Sequence, residues 1–163
     1  MKRLIFALLA LSFLAGCSKS SASLDSESSK VKDSSLSLSS VQGAEMKITY
    51  QVVIGNSTYE LDLADSKTVK AFKDLLPLTV QMNELNGNEK YCYLNTSIKQ
   101  NEAKVPESIQ EGDLMLFSDN CLVLFYQGFK TTYSYVYLGR LLNPTGLAEQ
   151  VGSGDVNISF NKK

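Results

Sequence analysis

From Lys47 onward the chain alternates. Ile48, Tyr50, Val52 and Ile54 fall on one side, with Lys47, Thr49 and Gln51 on the other, the signature of a half-buried strand. A Gly-Asn-Ser turn follows, and Tyr59, Leu61 and Leu63 alternate again, which predicts a hairpin with the first strand. The period then changes. Val69, Phe72, Leu75 and Leu76 recur at three- and four-residue spacing behind Ser66, a residue suited to cap a helix, and Pro77 stops the run. Leu78 to Met82 reads as a strand, Asn83 to Asn88 as a loop, and Lys90 to Leu94 as another short strand.

An irregular stretch from Asn95 to Glu111 precedes two near-continuous apolar runs, Asp113 to Phe117 and Cys121 to Tyr126. Joined by Ser-Asp-Asn, they predict a tight hairpin buried on both faces, with Leu122, Leu124 and Phe125 in the core. From Thr131 to Leu141, Tyr133, Tyr135 and Tyr137 alternate with Thr132, Ser134 and Val136. A helical turn from Pro144 to Gly152 and an alternating strand from Asp155 to Phe160 close the chain. The pattern predicts about eight short strands, one α-helix and one short helical turn, folded as a mostly-β barrel or sandwich with the helix plugging an end.

The first forty-odd residues have a different character. Lys2 and Arg3 precede an apolar run from Leu4 to Leu14, which as a helix spans only about 16 Å, half of a bilayer's hydrocarbon core. That is the shape of an export signal. It ends in Leu14-Ala15-Gly16-Cys17, which resembles the lipobox of bacterial lipoproteins, where cleavage precedes the cysteine. The resemblance implies removal of 1–16 and a thioether diacylglycerol on Cys17, usually with a further palmitate-type acyl chain on the new amino group. Two or more chains anchor stably where one does not. The expected location is the bacterial cell envelope, on the outside of the cytoplasmic membrane or in the outer membrane. Residues 17–44 are nearly half Ser, with scattered charge and no aromatic residue. Such a segment buries too little to offset its ordering entropy, and it predicts a disordered tether reaching roughly 30 Å. One folded domain, 45–163, is expected beyond it.

Composition then removes whole classes of function. The net charge of −1 becomes −3 once Lys2 and Arg3 leave, and no basic stripe exists, so nucleic acid is not an expected partner. The sequence contains no histidine, which eliminates imidazole general bases, Ser-His and Cys-His nucleophile pairs and imidazole metal sites. Cys92 and Cys121 are too few for a closed zinc site, and no metal or cofactor is expected. Their even count permits a disulfide, while their place inside apolar strand patterns suits two packed thiols. Both readings stay open.

The segments "AFKDLLPLTVQMNELNGNEKYCYL", "GDLMLFSDNCLVLFY", "TTYSYVYLGRL" and "GSGDVNISF", in this order, resemble the bacterial cyclophilin-like domain family over about 46–160. The resemblance implies a closed cyclophilin-like β-barrel with one α-helix and a short helical turn. It does not carry catalysis with it. Cyclophilins turn over prolyl bonds with an arginine in a Phe-His-Arg motif beside a hydrophobic proline pocket; that motif is absent, and Arg140 is the only arginine beyond the signal.

The expected function is therefore a non-catalytic binding module for a small ligand, a peptide or an envelope protein, with a divergent prolyl isomerase as the alternative. Tyr126, Phe129, Tyr133 and Tyr135 suit the floor of a ligand groove or an ordinary sheet face, since tyrosine has an apolar body and a wet tip. Glu89 and Arg140, with Tyr91 beside the former, read either as polar markers at a pocket rim or as structural charges. Asp113 after Gly112 suits a turn fastener.

Overall fold

The computed structural model describes residues 49–100 and 102–163. Cys17, the serine-rich tether of 17–44 and the first residues of the predicted opening strand lie outside them. Eight strands form: β1 (Tyr50–Ile54), β2 (Ser57–Leu63), β3 (Leu78–Leu85), β4 (Glu89–Tyr93), β5 (Asp113–Phe117), β6 (Cys121–Phe125), β7 (Val136–Leu141) and β8 (Val156–Lys162). They close into a barrel in the order β1-β2-β7-β5-β6-β4-β3-β8, with β8 returning to β1 and every neighbour antiparallel. Among the described residues, closure leaves no open sheet edge to template association.

Helix α1 (Lys67–Asp74) follows β2, and α2 (Leu147–Val151) precedes β8. The Ser66 hydroxyl caps α1 by accepting from the Val69 N–H at 3.2 Å, as the sequence predicts. Val69 and Phe72 turn into the barrel, where Phe72 meets Phe160 of β8 edge-on, centroids 6.0 Å apart. With them, Val52, Ile54, Leu61, Met82, Leu138, Leu147 and Ile158 fill the interior.

The β5–β6 hairpin has two buried faces, as its continuous apolar runs predict. Leu114, Leu116, Leu122 and Leu124 point into the barrel core. The alternate residues Met115, Cys121, Val123 and Phe125 leave the outer face and build a second core with Ile109 and Tyr135. Two irregular segments cover it. They are tied by antiparallel bridges between Lys104 and Tyr135 and between Ile109 and Phe129. Gly128 permits that approach: a Cβ there would lie 3.0 Å from the Ile109 carbonyl oxygen.

This layering settles the cysteines. Both thiols are free and buried. Cys92 belongs to the barrel core and Cys121 to the outer core, so their side chains leave the sheet on opposite faces.

Two sequence expectations need correction. β3 runs on through Asn83 and Glu84 to Leu85, residues expected in a loop, because Asn83, Glu84 and Leu85 pair with Tyr91, Lys90 and Glu89. Residues 131–135 do not extend β7. Ladder pairing starts at Val136, so Tyr133, Tyr135 and Tyr137 do not share one regular strand face.

Candidate functional site

The β3–β4 hairpin carries two of the buried charged residues among those described, Glu89 and Lys90. Asn86 and Gly87 turn it with φ of 58° and 72°, a left-handed pair suited to these residue types. The turn aims the Gly87 N–H at Glu84 Oε1, 2.9 Å away. Facing Glu84 across the hairpin, Lys90 is completely buried. Its Nζ donates to Glu84 Oε2 and to the carbonyl oxygens of Gly152 and Gly154, at 2.8 and 2.7 Å. The ammonium thus spends all three donors. Its Nζ also stands 5.4 Å from the Tyr126 ring centroid, while the Tyr126 hydroxyl donates to both Glu84 oxygens. Burial pushes the Glu84 carboxyl up, but the hydrogen bonds from Lys90, Tyr126 and Gly87 outweigh it, leaving a net lowering. Burial and the same carboxylate hold the Tyr126 phenol up at about 12.

On the outer face of the sheet lies a groove of about 860 Å³. Tyr91 and Tyr93 of β4 form one wall, meeting edge-on at 6.0 Å. Phe117, at the end of β5, stands between Tyr133 at 6.1 Å and Tyr135 at 5.5 Å. Phe129 packs on Phe125 at 5.7 Å and closes one side, with Cys121 and Val123 of β6 and Leu85 completing the apolar lining. Lys130, Thr131 and Thr132 supply a polar lip. Tyr93 is 68% exposed and Tyr133 64% exposed, so these rings face solvent.

Glu89 is the acid of this groove. It lines the space yet is only 7% exposed. Among the described residues it has no ion-pair partner and no hydrogen-bond donor. Burial pushes its carboxyl above the ordinary range, and the neighbouring Glu84 charge adds to that. Burial, followed by the Glu89 charge, holds the Cys121 thiol up at about 11 and the Tyr135 phenol at about 12. Both shifts disfavour the ionised, nucleophilic forms.

The candidates named from the sequence separate accordingly. Glu89, Tyr91, Phe129, Tyr133 and Tyr135 come together in the groove. Tyr126 does not line it, because Glu84 and Lys90 engage it. Arg140 lies outside too: its Nε donates to Asp113 Oδ1 at 2.6 Å, and Asp113 also accepts from the Gln110 N–H at 2.8 Å. Asp113 therefore fastens the turn before β5, as expected, and holds the arginine as well. Sequence reasoning missed Tyr93, although period-two alternation with Tyr91 across Cys92 marks it. It also missed Phe117, which repeats Met115 on the same face.

Comparison with known proteins agrees with this architecture. Residues 52–161 match the cyclophilin-like family, and residues 1–18 match the prokaryotic membrane lipoprotein lipid attachment site. The solution structure of a hypothetical protein from Archaeoglobus fulgidus aligns over 71% of this chain and 95% of its own, with TM-score 0.55 and 16% identity. That likeness is one of fold alone. No curated protein matches.

Proposed function

The chain belongs to the cyclophilin-like family and carries the attachment site of a bacterial envelope lipoprotein, and on that premise we propose that it is a tethered binding module. Its ligand lies in the outer-face groove between β4 and the 129–135 segment. One observation carries the reading: Tyr93, Phe117 and Tyr133 expose large aromatic surface together around a concavity of ligand size. Scattered exposed apolar residues need no explanation, but a contiguous aromatic patch around a cleft is what binding sites are made of.

Prolyl isomerisation has less support from this geometry. It asks for a guanidinium beside an apolar slot to ease rotation over a barrier of about 18–20 kcal/mol. Arg140 is engaged by Asp113 and does not line the groove. A coupled X-Pro peptide assay is expected to run at the background rate for both the protein and Arg140→Ala. Turnover above background, lost in Arg140→Ala, overturns the non-catalytic reading.

The binding reading is tested by titrating a library of small aromatic, aliphatic and amine fragments while following the ring resonances of the tyrosines. Hits are expected to move Tyr93 and Tyr133, and a Tyr93→Ala/Tyr133→Ala variant is expected to lose them. Hits that map elsewhere, or no hits at all, refute the groove as the site.

A further inference from the structure

We propose that the group taken by this groove is an organic cation, an ammonium or guanidinium on an apolar stem, with Glu89 as its counter-ion. The inference rests on the groove being the binding site and adds the chemical class of its ligand. Two independent features converge on it. The first is the wall: Tyr91, Tyr93, Phe117, Tyr133 and Tyr135 surround the space with rings, whose faces carry negative quadrupole density. A cation within about 6 Å of such a face is attracted, the more so once desolvated. The second is the floor. Glu89 is more than nine-tenths buried, lines the groove, and has no cationic or donor partner among the described residues.

The sealed, unpartnered side-chain oxygens among the described residues are those of Asn88 and Gln100, not of Glu89, so the Glu89 carboxyl is largely covered yet still open to what enters the groove. The same hairpin shows what satisfaction looks like. Glu84 has Lys90, Tyr126 and the Gly87 N–H, whereas Glu89, next to Lys90 in sequence, has none of them. Lys90 cannot turn to it, since its donors are spent on Glu84, Gly152 and Gly154. Lys130 lies on the exposed lip and forms no ion pair with Glu89. An anionic ligand would be repelled by Glu89 and by the ring faces, and a neutral donor could hydrogen-bond the acid but would gain neither the charge pairing nor the attraction of the rings. A cation satisfies both.

Such a group belongs either to a free small molecule or to a basic side chain of a peptide, and two arms of one experiment separate them. The full lipidated chain is held in a non-ionic maltoside micelle, which presents no cationic headgroup. In the first arm choline is compared with its neutral carbon isostere, dimethylbutanol. In the second, a capped glycine peptide with a central lysine is compared with its norleucine counterpart. Affinities are read from the tyrosine ring resonances. In at least one arm the cation is expected to bind about tenfold or more tighter than its neutral twin. Glu89→Gln is expected to erase that preference. A thermal melt confirms that the variant is folded.

Equal binding of cation and twin in both arms overturns the inference, as does a preference that survives Glu89→Gln. If the neutral and aromatic fragments of the preceding screen bind while neither cation does, only the ligand class fails. If nothing moves Tyr93 or Tyr133, the groove fails as a site as well.

Discussion

The two sides of the β3–β4 hairpin solve the same problem in opposite ways. Toward the Gly152–Gly154 corner, a buried charge is fully engaged: Lys90 meets Glu84 and two carbonyl oxygens under the Tyr126 ring. Toward the outer groove, Glu89 is also buried, at 7% exposure, but it has no protein partner among the described residues and its carboxyl stays open to the groove. The first arrangement ties together elements far apart in sequence and leaves no valence for a visitor. The second leaves one open, ringed by exposed aromatics. Stability belongs to the engaged side, and the recognition proposed for this chain to the open side. Substitutions on the two sides therefore separate effects on folding from effects on binding.

The largest effect is expected from Lys90→Ala. It strands the Glu84 carboxylate and the Gly152 and Gly154 carbonyls while opening a cavity under Tyr126. Removing one member of a buried pair costs about 3–5 kcal/mol. Glu84 keeps 22% side-chain exposure, which favours the lower end of that range. Urea denaturation followed by tyrosine fluorescence measures the loss; a cost below about 1 kcal/mol would mean that the cluster does not hold the fold together. Tyr126→Phe is milder. It keeps the ring over Lys90 and removes only the donor to Glu84, for an expected cost of about 1.5 kcal/mol in the same experiment. A neutral result would assign Tyr126 to packing alone.

The contrast was only half legible from the sequence. The doubly buried β5–β6 hairpin was, because continuous apolar runs bounded by a turn admit little else, and the outer core over it follows from the same residues. The Ser66 cap and the helix stripe were legible for a similar reason, since both signals are local. The Lys90 lock was not. Periodicity sees a lysine at the start of an apolar strand, while its acceptors lie 62 and 64 residues away at a corner whose geometry is tertiary. Which of the two readings of Arg140 holds was not legible for the same reason. Only the register that sets Asp113 against Arg140 reveals its partner. The tyrosine row was over-read, because alternation defines a face only while the backbone stays in a ladder. Tyr135 has one isolated bridge to Lys104, and Tyr133 has none.

On the open side, stability and binding are expected to come apart. Tyr93 and Tyr133 are mostly in water, so Tyr93→Ala/Tyr133→Ala is expected to change folding stability by about 0.5 kcal/mol or less per site, as surface substitutions do. The same variant is expected to lose fragment binding. A large drop in stability would mean that these rings are part of the packed structure, and the contrast between the two sides would collapse.

The finest discrimination comes from pH, where the two glutamates have opposite signs. The folded-state pKa of Glu84 is lowered from its ordinary 4.5, so its contribution is present above that value and is lost as pH falls through the folded one. Glu89 is raised from the same 4.5, so folding favours its protonated form. Stability gained that way is full below 4.5 and disappears as pH climbs through the raised value. On acidification from neutrality, the Glu89 term should therefore add stability first, and the Glu84 term should subtract it later. Neither limb can exceed about 1.4 kcal/mol per pH unit, the slope of one proton. The comparison is between variants. Subtracting the Glu89→Gln profile from that of the parent protein should leave a rise toward acid, and subtracting the Glu84→Gln profile should leave a fall. Difference profiles of the same sign would show that both acids are engaged alike. A cationic ligand should flatten the Glu89 limb alone, because it supplies to that carboxyl what Lys90 already gives Glu84.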